Sequence, residues 1–356
     1  MEPSYVYVNR RTLLKATLSL LPVGLGAACA TGVSDPRGVA GKATVTLGSP
    51  SLTVYSGRNE QLVGPLLEQF WQDTGITIQV KYGGTAEIAA TILEEGENSP
   101  ADVFYGQDAG ALGALQLENR LAALPDAILN AVELRFRSPQ GQWVGTSGRA
   151  RVVVYNTESV TPADLPPSIL DFTAPTWKGR IGWAPTNGSF QAFVTAMRVT
   201  LGEDPTRAWL EGIKANEPKV YPKNTPTVQA AVDGEIAVGF VNHYYLFRIR
   251  AEQGNVPAEN YFPPNGDLGS LINVAGAGVI AGSENQAAAE QFIAYLLSQH
   301  AQEYFATETY EYPLVSGVAA HPDLPALSDI QTPDIDLSDL ADLRGTLELL
   351  QEVELI

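Results

Sequence analysis

Over residues 52–117, short apolar runs alternate with segments of helical period, and this alternation restricts the fold more than any other feature of the chain. Leu52-Thr53-Val54-Tyr55-Ser56 reads as a strand stopped by Gly57. Leu62, Val63, Leu66, Leu67, Phe70 and Trp71 then recur at helical spacing, with Pro65 early enough to be tolerated. Ile76, Ile78, Val80 and Tyr82 alternate with Thr77, Gln79 and Lys81, a strand with one polar face. A helix carrying Ile88, Ala89, Ile92 and Leu93 stops near Gly96, and Ala101-Asp102-Val103-Phe104-Tyr105 is a third strand. Asp108 can cap the helix that follows through Leu112 and Leu115. Such alternation predicts an α/β protein with a mostly parallel sheet flanked by helices.

The pattern then becomes extended over 142–156, with Arg151-Val152-Val153-Val154-Tyr155 as its apolar centre. Helices are expected over 190–201, 206–214 and 225–232, then a strand over 235–241. A second extended segment covers 271–280. Two crossover strands imply two lobes, lobe 1 from 51–147 plus 276–303 and lobe 2 from 148–275 plus 304–356. Ser283-Glu284-Asn285-Gln286 reads as a capping box, and Leu337, Leu340, Leu343, Leu347 and Leu350 as a helical stripe that packs on a lobe.

Residues 1–30 read as an export signal. Arg10-Arg11-Thr12-Leu13-Leu14-Lys15 precedes an apolar run too short for a good membrane span, in the manner of a twin-arginine signal or of a secretory signal that carries two arginines. Cys29 is either a lipid-acceptor residue or part of a small-residue cleavage site ending at Ala30. Residues 31–50, rich in small residues, would be a linker. A periplasmic or other extracytoplasmic location, with a lipid anchor at Cys29 as one form of it, follows from this reading.

The formal net charge of −18 argues against nucleic acid and anionic lipid as partners. Cys29 is the one cysteine, so no intramolecular disulfide forms. Of the three histidines, His243, His300 and His321, no two have zinc-hydrolase spacing. Neither a Gly-x-Ser-x-Gly elbow nor a Walker lysine occurs, and Gly83-Gly84-Thr85 alone is a weak anion signal. No enzymatic activity is expected.

Tyr244 and Tyr245 follow the strand ending in Gly239-Phe240-Val241 and open a helix, so they sit at the carboxyl end of a strand, where open α/β sheets bind ligands. One reading makes them packing aromatics. The other makes them phenolate ligands. A phenol with a pKa near ~10 ligates at neutral pH only when a strong Lewis acid such as ferric iron displaces its proton.

With these tyrosines go several motifs, in order: Tyr55-Ser56-Gly57-Arg58, Ser99-Pro100-Ala101-Asp102-Val103-Phe104-Tyr105, Gly148-Arg149-Ala150-Arg151-Val152-Val153-Val154-Tyr155, Trp177-Lys178-Gly179-Arg180-Ile181-Gly182, Asn242-His243-Tyr244-Tyr245 and Glu311-Tyr312-Pro313-Leu314-Val315. Together they resemble the bacterial periplasmic ferric-ion-binding proteins of ABC iron importers, from Leu52 to about Ala320.

The resemblance implies a two-lobed periplasmic-binding-protein fold. Fe(3+) would be the transported ligand, held by Tyr244 and Tyr245 with carbonate or a similar synergistic anion. Arg58, Asn187, Gly188 and Ser189 would be anion-binding, and Asn59, Gln107, Asn224 and Asn242 would line the cleft. A permease and ATPase complex would be the partner, and the chain a monomer. Where some members place histidine, glutamate or a third tyrosine as ligands, this sequence has Asn59, Gln107 and Asn187. Two tyrosines with exogenous anions, an iron chelate, or an oxyanion or small organic anion on the same fold all remain open as cargo.

Overall fold

The computed structural model describes residues 51–356 together with a two-residue strand, β1 (Val6–Tyr7). The expected signal features, Arg10, Arg11 and Cys29, and the linker 31–50 lie outside the described residues.

The opening alternation is observed as β2 (Ser51–Ser56), α1 (Glu60–Thr74), β3 (Thr77–Tyr82), α2 (Thr85–Glu95), β4 (Val103–Gly106) and α3 (Ala109–Leu117). Asn59 caps α1 by accepting from the Gln61 N–H, and Gly75 ends it at φ 73°, a left-handed conformation that glycine adopts without a Cβ clash. Asp108 caps α3, its Oδ1 accepting from the Ala111 N–H at 3.0 Å.

After the short α4 (Asp126–Leu129) come β5 (Val144–Asn156), β6 (Ile181–Trp183), α5 (Gly188–Leu201), α6 (Glu203–Ala215), β7 (Lys219–Val220), α7 (Asn224–Val232), β8 (Val238–Asn242), α8 (Tyr244–Gln253) and β9 (Ala258–Tyr261). The chain finishes with β10 (Ile272–Val279), α9 (Gln286–Leu296), α10 (Gln299–Thr307) and α11 (Leu343–Glu352).

The strands form one path, β1-β3-β2-β4-β10-β5-β8-β6-β7, with β9 added to β5. β2 runs parallel to β3 and β4, and β6 parallel to β7 and β8. Between these parallel groups lie β10 and β5, antiparallel to each other. All of β5 is buried; its 144–150 half pairs with β10 and its 151–155 half with β8. A strand shared in this way fixes the two groups side by side, and the β-branched run Val152-Val153-Val154 suits its covered position.

Two local expectations are corrected. Ser283 does not cap α9: its Oγ donates to Asp102 Oδ1 at 2.6 Å and accepts from the Asn285 N–H at 3.1 Å, before the helix, and α9 starts without a side-chain cap. The Asp102 carboxylate is buried and also takes the Thr53 N–H and the Asn285 side-chain amide, and these charge-assisted bonds orient the segment so that Ser283 Oγ meets the Asn285 N–H and not an N–H of α9. The leucine stripe is not one helix. It divides at Asp342 into a 3-10 turn, Leu337–Ala341, and α11, which pack on α3 and α5. Among the described residues no helix is long and apolar enough to cross a membrane.

Candidate functional site

A cleft of about 460 Å³ opens at the carboxyl ends of β2, β4, β6 and β8. Its wall contains Asn59 and Glu60 at the start of α1, Gly84 and Thr85 at α2, Gln107 just before α3, Asn187 and Gly188 at α5, Lys223 and Thr225 at α7, and Tyr245 at α8. Helix amino ends therefore converge on one cavity. Each carries unpaired N–H groups and roughly half a positive charge, so the cleft favours negative charge.

Tyr244 and Tyr245 begin α8 directly beyond β8. The residue between, His243, pins the turn: its Nδ1 accepts from the Ala150 N–H at 3.1 Å and its Nε2 lies 2.8 Å from the Tyr310 carbonyl oxygen. That pattern requires the neutral tautomer with the proton on Nε2. Burial lowers the imidazole pKa to about 4, in keeping with a neutral ring. The two tyrosine rings stack at 4.2 Å with 30° between planes. Tyr244 is wholly buried and its hydroxyl has no hydrogen-bond partner within the protein; Tyr245 lies at the cleft wall. Burial, reinforced by Tyr245 and Glu311, pushes the Tyr244 phenol well above its ordinary pKa, while Arg149 and Arg58 pull the other way. The phenol is neutral at pH 7 unless a cation displaces its proton.

Arg58 lines the cleft, but its fork is already engaged. Nη1 and Nη2 bind the Glu311 carboxylate oxygens at 2.9 and 2.7 Å, with both side chains shut off from solvent. Ser147 Oγ also donates to this carboxylate, at 3.0 Å. Burial opposes both charges, yet their mutual attraction outweighs it. Arg58 is held above the usual guanidinium pKa and Glu311 below the usual carboxylate range. Glu311 was visible only as part of a motif; its partner is 253 positions away.

Arg149 and Arg151 alternate along β5, so they share a face of the strand. Arg149 is 1 % exposed, and none of its guanidinium nitrogens has a hydrogen-bond partner within the protein. Its charge acts on Tyr244, His243, Glu311 and Asp108. Arg151 reaches Asn242 Oδ1 at 3.4 Å and lies over the Phe193 ring. Burial, with the like charge of Arg149 next, lowers its pKa to about 9. In the sequence both arginines belong to the strand motif over 148–155, where two cations in an apolar run are the available signal.

The other expected residues separate into two layers. Asn59, Gln107, Asn187 and Gly188 form the wall, and Gln107 Nε2 is buried there without a partner. Ser189, Asn224 and Asn242 are buried one layer behind. Asn187 Oδ1 accepts from the Ser189 N–H and Oγ, Asn224 Nδ2 donates to Ser189 Oγ, and Asn242 is turned to Arg151. Asp108 is spent on capping α3, with burial raising its pKa. Among the described residues, no group of three or more His, Cys, Asp or Glu could hold a metal ion. The phenol oxygens of Tyr244 and Tyr245 and the single Glu60 carboxylate in the wall are the hard anionic donors left.

Parallel strands in two groups, joined by shared antiparallel strands and bearing a cleft at helix amino ends, define the architecture of a solute-binding protein. Residues 98–340 match the family described as bacterial extracellular solute-binding protein. The chain is 34 % identical to the major ferric iron-binding protein of Neisseria meningitidis over 319 residues, 87 % of this chain and 96 % of that one. Iron-bound HitA from Pseudomonas aeruginosa superposes with a TM-score of 0.82 at 32 % identity, over 86 % of this chain and 99 % of that one. A Trichodesmium protein solved with iron and citrate gives 0.72 at 28 % identity, over 86 % of this chain and 100 % of that one. This chain belongs to the bacterial periplasmic ferric-ion-binding protein family.

Proposed function

We propose that the protein captures ferric iron outside the cytoplasm, through the phenolates of Tyr244 and Tyr245 and an accompanying anion, and delivers it to an ABC importer. The observation that carries this reading is the stacked tyrosine pair at the start of α8, one ring forming cleft wall and the other buried behind it with an unpartnered hydroxyl. A hard, highly charged cation selects anionic oxygen, and among the described residues no histidine–carboxylate cluster competes with the phenols. Relatives named for ferric binding support the same cargo.

The anion would meet Gly188 and the amino end of α5, with Asn187 and Ser189 holding that turn. Arg58 would contribute charge from the cleft wall, with its fork engaged by Glu311. Asn59 and Gln107 would shape the wall, and Asn224 and Asn242 would support it. Lobe 1 would comprise 51–147 plus 276–303, and lobe 2 148–275 plus 304–356, closing over the cargo as a monomer. The Arg10-Arg11 signal and Cys29 support export, with a lipid tether as its membrane-bound form. Titrating the metal-free protein with ferric salt in bicarbonate buffer should develop a visible tyrosinate-to-iron charge-transfer band saturating at one iron per chain. A colourless titration would remove the reading.

A further inference from the structure

Residues 337–352 touch the frame of the cleft on both sides. α3 and α5 each begin at the cleft, α3 just after Gln107 and α5 at Asn187 and Gly188. α3 follows β4, in the parallel group of β2 and β3, whereas α5 follows β6, in the group of β7 and β8. The 3-10 turn Leu337–Ala341 and α11 lie across both helices.

The two helices are held by different means. α11 is bonded to α5 and α6. Arg198 donates through Nη1 to Thr346 Oγ1 and through Nη2 to Asp342 Oδ2, both at 3.0 Å, and the hydroxyls of Thr195 and Thr346 lie 2.7 Å apart. Arg207 and Lys214 of α6 pair with Glu352 and Glu354. On α3 there is packing alone: among the described residues no hydrogen bond joins this helix to the turn. Gly110 and Gly113 share a face of α3 and let the turn approach closely. A Cβ on Gly110 would lie 2.5 Å from the Leu340 carbonyl oxygen, and one on Gly113 2.8 Å from Ala341 Cβ. Leu337 and Leu340 are buried, which favours the seated turn, but Ser338 Oγ is buried with no hydrogen-bond partner. That hydroxyl regains its bond to water once the turn lifts, so the seat is easily broken. Room for the movement exists. Cavities of about 500 and 200 Å³, lined by residues of 134–139 and of 332–337, lie along the stretch that leads into the turn.

The turn is seated while the two sides of the cleft are in contact, since a Cβ on Gly188 would lie 3.3 Å from Asp108 Oδ2. Rotating one strand group against the other about β5 and β10 would carry α11 with α5 and slide the turn off its two glycines. We propose that the turn Leu337–Ala341 is a latch, carried by α5 and α6, that seats on Gly110 and Gly113 of α3 when the lobes close and thereby slows release of the cargo. This rests on the two-lobe closure proposed above and names the segment that holds it shut.

Amide hydrogen exchange and small-angle scattering of the whole protein, metal-free and after loading with ferric salt in bicarbonate buffer, test the latch. Loading should compact the protein and slow exchange over 337–341 at least about tenfold, while exchange over 345–352 stays unchanged because α11 remains on α5 in both states. Gly113→Ala puts a methyl group where Ala341 sits, yet suits the helix better than glycine does. It should abolish the slowing over 337–341 and release iron about tenfold faster under chelator challenge. Compaction with equal exchange over 337–341 in both states would overturn the latch and keep the two-lobe reading. Wild-type exchange and release in Gly113→Ala would do the same. Should that variant fold poorly, the wild-type exchange comparison decides the matter alone. Loading without compaction would remove the two-lobe reading and the latch with it.

Discussion

Arg58 and Glu311, far apart in sequence, meet as a two-bond ion pair with no solvent contact on either side chain. The pair ties the loop after β2 to the segment after α10, at the cleft that Arg58 lines.

Removing one partner should therefore be costly. Glu311→Gln leaves a buried guanidinium without its charge partner, and a loss of ~3–5 kcal/mol of folding stability is expected by analogy with other broken buried pairs. Urea unfolding of the metal-free variant measures it. A loss of less than ~1 kcal/mol would mean that the pair is replaceable.

The same pair sets an acid limit. Arg58 holds the folded-state pKa of Glu311 below its unfolded value, so the folded protein binds this proton more weakly than the unfolded chain. The stabilisation is fully present above the unfolded carboxylate pKa of ~4.3 and is lost as pH falls through the folded value. In metal-free protein, unfolding stability should drop more steeply below about pH 4 in wild type than in Glu311→Gln. Parallel curves would contradict it.

Gly188 is where the amino end of α5 meets the opposite side of the cleft. A Cβ there would lie 3.3 Å from both Asp108 Oδ2 and Thr85 Cβ. Gly188→Val should leave the fold intact, keep the sides of the cleft apart, and speed iron release by about tenfold, read by chelator challenge. Unchanged release would show that the approach is not needed for retention.

The fold was legible where its causes are local. The apolar spacing of β2, α1 and β3, the Asp108 cap and the extended runs of β5 and β10 depend on residues close in sequence, and the tyrosine pair at the end of β8 did too. What escaped depends on distance. Ser283 and Asn285 are oriented by the Asp102 carboxylate, far away in sequence. The ion pair of Arg58 with Glu311 cannot be read from sequence spacing, because the two lie far apart in the chain. Arg149 was absorbed into a strand motif, since nothing local reveals that its guanidinium has no protein partner. The strands β7 and β9 are too short to carry an alternation of their own.

Ferric titration of Tyr244→Phe and Tyr245→Phe beside wild type, with absorbance read across pH, tests the tyrosine site most directly. Each substitution keeps the stacked ring and deletes only the donor oxygen. Wild type should form the coloured complex and lose affinity as pH falls, because protons compete for the phenolate oxygens. Both variants should keep their far-ultraviolet circular dichroism, lose the colour and bind iron at least about a hundredfold more weakly, since among the described residues no cluster of three or more His, Cys, Asp or Glu could hold the metal instead. Wild-type colour and affinity in both single variants would show that the tyrosines are packing residues and that iron is not held by this pair.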